Sequence, residues 1–357
     1  MSLKDRLKRD IAQDGPMTIA DYMWRCLLDP KDGYYSTRPA LGADGDFITA
    51  PMISQIFGEL IGLWCVQVWQ DLGAPERFNL VEIGPGDGTL ISDILRAGRV
   101  IPDFLTAAQV VLVEPSLPLR ALQLAKVPYA VFLNDISDIP VDAPLIIIAN
   151  EILDCLPARQ FIRRDDKWHE RRVGLSDNGE LIFGLSDAPS DFIPPPNGEE
   201  GQIYEISPAQ RLMAQILSDK LKAATGAALL IDYGRDAPGS GDTLQALYRQ
   251  QKFNPLEAPG AHDLTVWADF PSVAATARTA GVAVSEISTQ SAFLQRLGIV
   301  ARLEALSAKN PDRADLLARQ IERLIAPDQM GELFKVLALS FPPDLALPAL
   351  EPITPRA

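Results

Sequence analysis

The chain has 357 residues, of which 47% are hydrophobic, so it is long enough to bury a full core and a second lobe. It carries 47 acidic and 33 basic side chains and no long run of Lys or Arg, which argues against a nucleic-acid substrate. The net charge of −14 suits plain solubility and a cationic protein partner equally. Three scattered cysteines without a CxxC pair, and no apolar signal or membrane-spanning segment, predict a cytoplasmic protein.

Residues 1–75 have helical spacing on both sides of a Gly/Pro-containing loop from Asp29 to Pro51. We expect this segment to pack on the main core as helices and not to form a sheet. Four of its aromatic side chains are interpreted as core: Tyr22, Trp24, Trp64 and Trp69.

From Phe78 onward, short apolar runs that end in acidic or glycine residues alternate with helix-like segments, as in FNLVEIG, TLISDILRAG and QVVLVEP. This alternation is typical of βαβ units and a parallel sheet. It predicts an α/β core over residues 76–160 and 203–290, in which GAALLIDYG (226–234) is a further buried strand.

Two other segments have a different pattern. Polar and apolar residues alternate around turn signals between Arg159 and Ile206, which predicts antiparallel hairpins inserted over residues 161–202. After Ser291 the spacing is mainly helical as far as Leu339, and the proline-rich end is expected to be loose. Residues 291–357 are therefore predicted to form a helical C-terminal lobe and tail.

A glycine-rich turn, GPGDG, follows the first core strand and precedes a helix that begins near Thr89. Gly84, Gly86 and Gly88 allow a cofactor to approach the backbone in conformations that a Cβ forbids. The dinucleotide fingerprint requires glycine at position 89, where this chain has Thr. Glu82 places a carboxylate beside the turn, which suits the ammonium and sulfonium groups of S-adenosylmethionine better than a pyrophosphate.

Acidic residues also follow the next two strands. Glu114 ends the apolar run 110–113, at a place where a carboxylate can accept both ribose hydroxyls. Asp135 follows a third short strand, where it could bond the adenine amino group. Taken alone, Asp135 is better explained as a turn cap, but the glycine turn with Glu82 and Glu114 favours a cofactor-binding role.

Three polar residues, Asn150, Glu151 and Asp154, come directly after the fourth core strand in NEILDCLP. Residues just past the carboxyl end of a parallel strand face the cofactor crevice. If a helical turn follows the strand, Glu151 and Asp154 lie on one face and can together hold a guanidinium or ammonium group. The alternative for Asn150 or Asp154 is a cap on the turn before Pro157.

These residues match the demands of methyl transfer, an in-line displacement that needs a positioned, neutral lone pair on the acceptor. An arginine acceptor is charged in water, so carboxylates must orient it and help to remove a proton. Glu151 and Asp154 are the candidates for this role. The chain contains only His169 and His262, so we expect neither a histidine-driven mechanism nor a metal site.

An ordered series of motifs between about Asp21 and Ile299 resembles the MidA-like family of S-adenosylmethionine-dependent methyltransferases. The motifs are GDFITAP (45–51), SQIFGELIG (54–62), VEIGPGDGTL (81–90), EPSLPLR (114–120), NEILDCLP (150–157), ISPAQ (206–210), IDYGR (231–235), PGAHDLTVWADF (259–270) and STQSAFLQRLGI (288–299). The resemblance implies a Rossmann-like class I methyltransferase core, S-adenosylmethionine as the cofactor and a protein arginine as the acceptor. Because the family's mitochondrial members are complex I assembly factors, it also implies a core subunit of that respiratory enzyme as the substrate, methylated in the mitochondrial matrix in eukaryotes.

The resemblance also implies roles for single residues. Asp46 is interpreted as a substrate or cofactor contact on an N-terminal loop that covers the cleft, with a plain turn residue as the alternative. Asp232, at the end of the LLID strand, is interpreted as a substrate-binding residue or as a cap on the next turn. The implied cofactor and active-cleft positions are Gly84, Gly86, Glu114, Asp46, Asn150, Glu151, Asp154 and Asp232. Three residues depart from the family pattern: Met52 where Glu is expected, Asp87 where Arg is expected and Trp267 where His is expected.

Two other functions remain open at this point. An NAD-linked oxidoreductase could use the same sheet, although the missing third glycine argues against it. An assembly chaperone could bind the cofactor for stability and transfer nothing. A homodimer is also compatible with the sequence.

Overall fold

The computed structural model describes residues 1–37, 49–190, 198–248 and 251–351. The α-helices of these residues are α1 (Leu3–Asp14), α2 (Ile19–Leu28), α3 (Tyr34–Thr37), α4 (Ala50–Ile53), α5 (Gln55–Asp71), α6 (Thr89–Ala97), α7 (Pro102–Ala107), α8 (Leu117–Lys126), α9 (Pro208–Ala224), α10 (Phe270–Thr279), α11 (Gln290–Arg296), α12 (Ile299–Lys309) and α13 (Ala314–Ile325). The strands are β1 (Met17–Thr18), β2 (Phe78–Ile83), β3 (Ala108–Val113), β4 (Val131–Leu133), β5 (Leu145–Asn150), β6 (Arg159–Arg164), β7 (Lys167–Leu175), β8 (Leu181–Leu185), β9 (Ile203–Ile206), β10 (Gly226–Arg235), β11 (Gln245–Tyr248), β12 (Gln251–Phe253), β13 (Asp263–Thr265), β14 (Ala268–Asp269), β15 (Ala283–Val284), β16 (Ser288–Thr289) and β17 (Phe334–Phe341). None of the helices in the described ranges is both long and apolar enough to span a membrane.

The main sheet has the strand order β15-β17-β10-β5-β2-β3-β4. Strands β4, β3, β2, β5 and β10 run parallel, and β17 is inserted antiparallel beside β10. The parallel α/β core predicted from the alternation of apolar runs and helical segments is therefore confirmed, with one antiparallel strand added.

Helices cover both faces of this sheet, so its strands are buried on each side. In β5, Ile146 and Ile148 belong to the core that includes α5 and α6, whereas Leu145, Ile147 and Ala149 belong to the core that includes α9 and α10. Successive residues of a strand point to opposite faces, which explains why such strands appear in the sequence as continuous apolar runs. Each isoleucine buried in this way stabilises the fold by roughly 1.5–3 kcal/mol.

The antiparallel strands predicted between Arg159 and Ile206 are present as a second sheet of β1, β7, β6 and β9, in which β8 pairs with β7. The first two helices pack mainly on this inserted sheet and on the small sheet of β12, β11 and β13. Leu3, Leu7 and Tyr22 share a core with Val173 and Leu264. The segment 1–75 therefore does not pack on the main core as one unit. Its first two helices pack on the smaller sheets, whereas α5 packs on the main sheet.

Two expectations for single segments are wrong. Trp24 is 56% exposed, because it lies on the outer side of α2 while Tyr22 and Met23 face the core. The helix expected as far as Leu339 ends earlier, since Phe334–Phe341 forms β17 in the main sheet. FKVLALSF is buried on nearly all positions, so it lacks the two-residue alternation that marks a half-exposed strand.

The C-terminal end was expected to be loose, but as far as Glu351 it packs on the core. Leu345, Leu347 and Leu350 pack against the core that includes α5 and α11. Leucines in a proline-rich stretch can bury their side chains without regular structure, which the compositional prediction did not take into account. Within the described residues, the predicted helical lobe over 291–357 therefore consists of three α-helices with a short 3-10 turn and a π-helical turn, followed by a core strand and a packed end.

Candidate active site

The carboxyl ends of β2 and β5 lie side by side at the place where the chain order of the sheet reverses. From β2 the chain runs outward to β3 and β4, and then it returns to β5 on the other side of β2. Ile83 and Ala149 are register partners, so the glycine turn (residues 84–88) and the segment that we call the transfer loop (residues 150–157) begin next to each other. In open α/β sheets this reversal point forms the crevice in which ligands bind.

The backbone of the glycine turn adopts conformations that favour glycine. Gly84 and Gly86 have φ angles of +63° and +56°, and Gly88, at +79°, is the N-cap of α6. A Cβ on Gly84 would lie 2.7 Å from Cδ1 of Ile152 in the transfer loop. The N–H groups of Gly84 and Gly88 donate to the carbonyl oxygens of Val113 and Pro85 at 3.0 and 2.8 Å. The turn packs directly against the transfer loop, and its backbone conformation favours glycine.

Glu82 is buried at the end of β2, where only 3% of the residue is exposed. It accepts a hydrogen bond from the backbone N–H of Ile91, but burial raises the pKa of Glu82 to about 8. Its Oε2 atom has no hydrogen-bond partner among the described residues. Burial favours the neutral form of this carboxyl, whereas a positive charge beside it favours the ionised form. The predicted attraction for a cationic cofactor therefore depends on the charge that the cofactor itself brings.

Glu114 follows β3 and is also buried. Its Oε1 accepts the backbone N–H of Ser116 at 2.8 Å, and its Oε2 accepts from Nε2 of Gln123 at 3.3 Å. Burial raises the pKa of Glu114, and these two hydrogen bonds oppose the shift. The carboxylate is thus fixed in orientation at the same edge of the sheet as the glycine turn, which suits the predicted bonds to ribose hydroxyls.

Asp135 lies beyond β4, further along the same edge, and is exposed. Its Oδ1 accepts from the backbone N–H of Ser137 at 2.8 Å and from the Ser137 hydroxyl at 2.7 Å. These bonds lower the pKa of Asp135. The carboxylate caps a short 3-10 turn, Ile136–Asp138, which is the alternative that the sequence offered, and Oδ2 is the oxygen left to bond an adenine.

Asn150 and Glu151 begin the transfer loop. The Asn150 amide donates to Oε1 of Glu151 at 3.0 Å, while its own Oδ1 is buried without a partner among the described residues. Glu151 has a φ of +53°, so no helical turn follows β5 here and the predicted helical spacing of the carboxylates is wrong. Burial, with the neighbouring charge of Asp154, raises the pKa of Glu151 to about 7, against bonds from Ala50 and Asn150 that lower it.

Asp154 and Asp232 nevertheless come close to Glu151. Asp232 is fully buried at the end of β10, and its Oδ2 accepts the backbone N–H groups of Leu153 at 2.8 Å and Asp154 at 3.1 Å. Its Oδ1 accepts the N–H of Tyr233 at 2.8 Å. Burial raises the pKa of Asp154, and burial with the charges of Asp154 and Glu151 raises that of Asp232. Asp232 therefore holds the transfer loop in shape, which favours the capping role over direct substrate binding.

Asp46, the other predicted substrate contact, lies outside the described residues. The chain is described again from Thr49, and the N–H of Ala50 donates to Oε1 of Glu151 at 3.2 Å. The GDFITAP motif, which was expected to cover the cleft, therefore contacts the transfer loop through Ala50.

Two residues that the sequence prediction missed lie beside the transfer loop. The Tyr35 hydroxyl donates to Oδ2 of Asp263 at 2.8 Å. Burial raises the pKa of Tyr35, and the charges of Asp263 and Asp154 add to the shift. Asp263 belongs to the HDLT motif and could have been singled out there, whereas nothing in the local sequence of Tyr35 marks it as a site residue.

Of the three residues that depart from the family pattern, Asp87 has clear bonding partners in the structure. Asp87 accepts the N–H of Thr89 at 2.9 Å and forms an ion pair of 2.8 Å with Lys126, directly before the N-cap Gly88 of α6. Trp267 is 38% exposed between β13 and β14. Met52 lies in α4, close in sequence to the Ala50 contact.

Comparison with known proteins agrees with this geometry. A sequence model of S-adenosyl-L-methionine-dependent methyltransferases matches residues 60–288. "Protein arginine methyltransferase NDUFAF7 homolog, mitochondrial" of Drosophila melanogaster is 34% identical over 97% of this chain and 86% of its own length. The NDUFAF7 protein arginine methyltransferase of Mus musculus is 36% identical over 92% of this chain and 82% of its own. A crystal structure from Burkholderia thailandensis with bound S-adenosyl-homocysteine has a TM-score of 0.86 and 27% identity, and covers 97% of this chain and 94% of that one.

Proposed function

Because the chain belongs to the family of S-adenosyl-L-methionine-dependent methyltransferases, we propose that it transfers the methyl group to an arginine side chain of a protein. The names of the curated relatives from Drosophila melanogaster and Mus musculus support a protein arginine as the acceptor. The observation that carries the proposal is that the carboxyl groups of Glu151, Asp154 and Asp232 lie close enough together beside the glycine turn for their charges to raise the pKa values of Glu151 and Asp232.

The cofactor of the family is S-adenosylmethionine, and the residues at the edge of the sheet fit it. We assign the backbone of Gly84, Gly86 and Gly88 to its amino-acid end, because left-handed glycines leave no Cβ in the way. Glu114, buried and held by two hydrogen bonds, is assigned to the ribose hydroxyls. When bound, the cofactor supplies a methyl group on a positively charged sulfur.

Glu82 and Asp135 complete the proposed cofactor site. The unpartnered Oε2 of Glu82 provides a buried acceptor beneath the turn, and its carboxyl becomes ionised when a cation lies close. Asp135 has one oxygen engaged with Ser137, and we assign the other to the adenine amino group. Comparing S-adenosylhomocysteine with its hypoxanthine analogue tests this role, because Asp135→Ala should remove the preference for adenine.

A guanidinium group is the acceptor that this cluster suits best. It is planar and always charged in water, and it presents N–H donors that carboxylates bind in pairs. Glu151 and Asp154 are the proposed carboxylates, and the unpartnered Oδ1 of Asn150 adds a neutral acceptor beside them. Because Asp232 is occupied by three backbone N–H groups, it supports the transfer loop and does not need to touch the substrate.

The proton that the guanidinium loses as it is methylated has an acceptor in Glu151. Its pKa of about 7 is well matched to accepting a proton near neutral pH, whereas an exposed glutamate would be a much weaker base. Asp154 raises this pKa further through its charge. Removing the Glu151 charge should therefore reduce transfer far more than it reduces cofactor binding.

We also propose a protein substrate and a cellular compartment for the reaction. The family resemblance of the sequence supports a core subunit of respiratory complex I as the methylated protein, and the relatives' names include the word mitochondrial. For this chain we propose action in the cytoplasm, as its three free cysteines suggest. A homodimer stays an open prediction.

The test compares wild type with Glu151→Gln. Extract from cells that lack this protein is incubated with S-adenosylmethionine labelled in the methyl group, and binding of S-adenosylhomocysteine and NAD is measured by calorimetry. The proposal expects labelled protein with wild type only, equal S-adenosylhomocysteine affinity for both proteins, and no NAD binding. Equal labelling by both proteins would show that Glu151 is not the proton acceptor, and the absence of any labelling by wild type would favour a chaperone that binds the cofactor without transfer.

A further inference from the structure

Helix α8 runs beside the glycine turn and Glu114, and three of its side chains, spaced three residues apart, contact one or both of them. Nε of Arg120 donates to the carbonyl oxygen of Glu114 at 2.6 Å. Nζ of Lys126 donates to Oδ2 of Asp87 at 2.8 Å and to Oγ1 of Thr89 at 2.7 Å. Residues three apart on a helix lie on one face, so this face of α8 is turned toward the cofactor edge of the sheet.

Gln123, between those two residues, is fully buried on the same face. Its Nε2 donates to the carbonyl oxygen of Gly86 at 2.7 Å and to Oε2 of Glu114 at 3.3 Å. A Cβ on Gly88 would lie 3.3 Å from the Cα atom of Gln123, so the helix backbone also packs against the turn. One carboxamide thus connects the glycine turn after β2 with the acid after β3.

Burying the carboxamide of Gln123 is unfavourable for folding. Oε1 of Gln123 is buried without a hydrogen-bond partner among the described residues. Burying a polar atom without a partner opposes folding, and a leucine of similar size would fill the space without that disadvantage. The amide is therefore better explained by the two groups that it bonds than by packing.

We propose that Gln123 is a positioning residue for the cofactor, whose carboxamide holds the Gly86 backbone and the Glu114 carboxylate in one fixed arrangement. This rests on the proposed function, in which Glu114 receives the ribose hydroxyls. Without the amide, Glu114 keeps its bond from Ser116 but can rotate its other oxygen away from the ribose. The glycine turn loses the donor to its central carbonyl at the same time.

The test is a double-mutant cycle on the full chain, with calorimetric titration of S-adenosylhomocysteine into wild type, Gln123→Leu, Glu114→Gln and the double variant. Each single change should weaken binding roughly tenfold, as expected for loss of a hydrogen bond to a charged group. If Gln123 acts through Glu114, the double variant loses less than the product of the two single losses. Gln123→Leu should also reduce the preference for S-adenosylhomocysteine over its 2′-deoxyribose analogue.

The binding of Glu114→Gln and of the double variant distinguishes the ribose assignment of Glu114 from the positioning role of Gln123. If Glu114→Gln binds as tightly as wild type, the ribose assignment is wrong and the inference falls with it. If Glu114→Gln weakens binding but the two losses multiply, the ribose assignment stands and the positioning role of Gln123 is overturned.

A matched control excludes a general loss of stability. Gln290 is also fully buried, its Nε2 donates to the carbonyl oxygen of Leu324 at 2.9 Å, and its Oε1 also lacks a partner among the described residues. Gln290→Leu should leave S-adenosylhomocysteine affinity unchanged, and a similar loss there would contradict the inference. Gln123→Met, which keeps an unbranched side chain, replaces Gln123→Leu if the leucine variant does not fold.

Discussion

Glu151 accepts a hydrogen bond of 3.2 Å from the backbone N–H of Ala50, although the two residues are 101 positions apart in the chain. The bond connects the start of α4 with the transfer loop at the end of β5. It lowers the pKa of Glu151, but burial and Asp154 outweigh it and the pKa remains about 7. The N-terminal segment therefore takes part in tuning the group that we propose as the proton acceptor.

Ala50→Pro should shift the pH dependence of methyl transfer. Wild-type activity should rise with pH through about 7, as Glu151 loses its proton. Proline removes the N–H donor while keeping the first helical position of α4, and the extended ψ of 159° at Thr49 accepts a following proline. The midpoint of the acid limb should move to higher pH, with S-adenosylhomocysteine affinity unchanged at pH 8. An unchanged midpoint would show that this bond does not tune the reacting group.

Glu151→Gln should increase stability at pH 8 while it abolishes transfer. The folded-state pKa of about 7 is above the unfolded value of about 4.3, so the native state binds the extra proton between these values and stability falls as pH rises through this window. Glutamine has no charge to bury and can keep both hydrogen bonds to Oε1. We expect a gain of roughly 1–2 kcal/mol at pH 8, after a discount for solvent screening, and almost none at pH 4. Denaturant unfolding at the two pH values measures it, and a loss at pH 8 would contradict the account.

Asp232→Asn should destabilise the protein. Asparagine has one acceptor oxygen, so its NH₂ group would face either the backbone N–H of Tyr233 or those of Leu153 and Asp154, which now donate to the carboxylate. Burial of the charge raises the pKa of Asp232, so loss of that charge offsets part of this cost, but the unpaired N–H group should outweigh it. The free energy of unfolding should therefore decrease by roughly 1–3 kcal/mol, which thermal or denaturant unfolding at pH 8 would detect. Asp219→Asn, at an exposed helix position, is the control and should have little effect. Full stability with impaired substrate binding would instead support the substrate-binding role predicted from the sequence.

Gly86→Val should abolish cofactor binding and leave the far-UV circular dichroism nearly native. Gly86 has a φ of +56°, which a β-branched residue adopts only with strain, and its backbone belongs to the proposed cofactor turn. Gly179, with a φ of +74° and no atom within 4 Å of where a Cβ would lie, gives a matched control in a hairpin turn of the inserted sheet. Gly179→Val should show similar backbone strain but normal S-adenosylhomocysteine affinity. Retained affinity in Gly86→Val would remove the turn from the cofactor site.

Much of the main sheet follows from the sequence, because strands buried on both faces leave continuous apolar runs and each parallel strand ends in a recognisable turn. The sequence therefore locates the glycine turn, Glu114 and the NEILDCLP segment at one edge. β17 is the exception in the sheet. It joins β10 from the far end of the chain, and its apolar run has no local feature that separates a strand from a helix.

The site is less predictable where contacts depend on the packing of distant segments. The Ala50 contact to Glu151 and the Tyr35 bond to Asp263 join parts of the chain that local patterns treat separately. The raised pKa of Glu82 also follows from burial, which the sequence does not show directly. Gln123 had a local signal, because it is a polar residue between Arg120 and Lys126 at helical spacing, but only the structure shows what its amide bonds.

The most direct test of the account is the chemical identity of the methylated product. Wild-type protein and labelled S-adenosylmethionine are incubated with extract from cells that lack this protein, and the labelled protein is hydrolysed to amino acids for mass spectrometry. Label is expected in methylarginine of a discrete protein with wild type, and none with Glu151→Gln. Label found only in lysine, in other residues or in small molecules would contradict the proposed arginine acceptor.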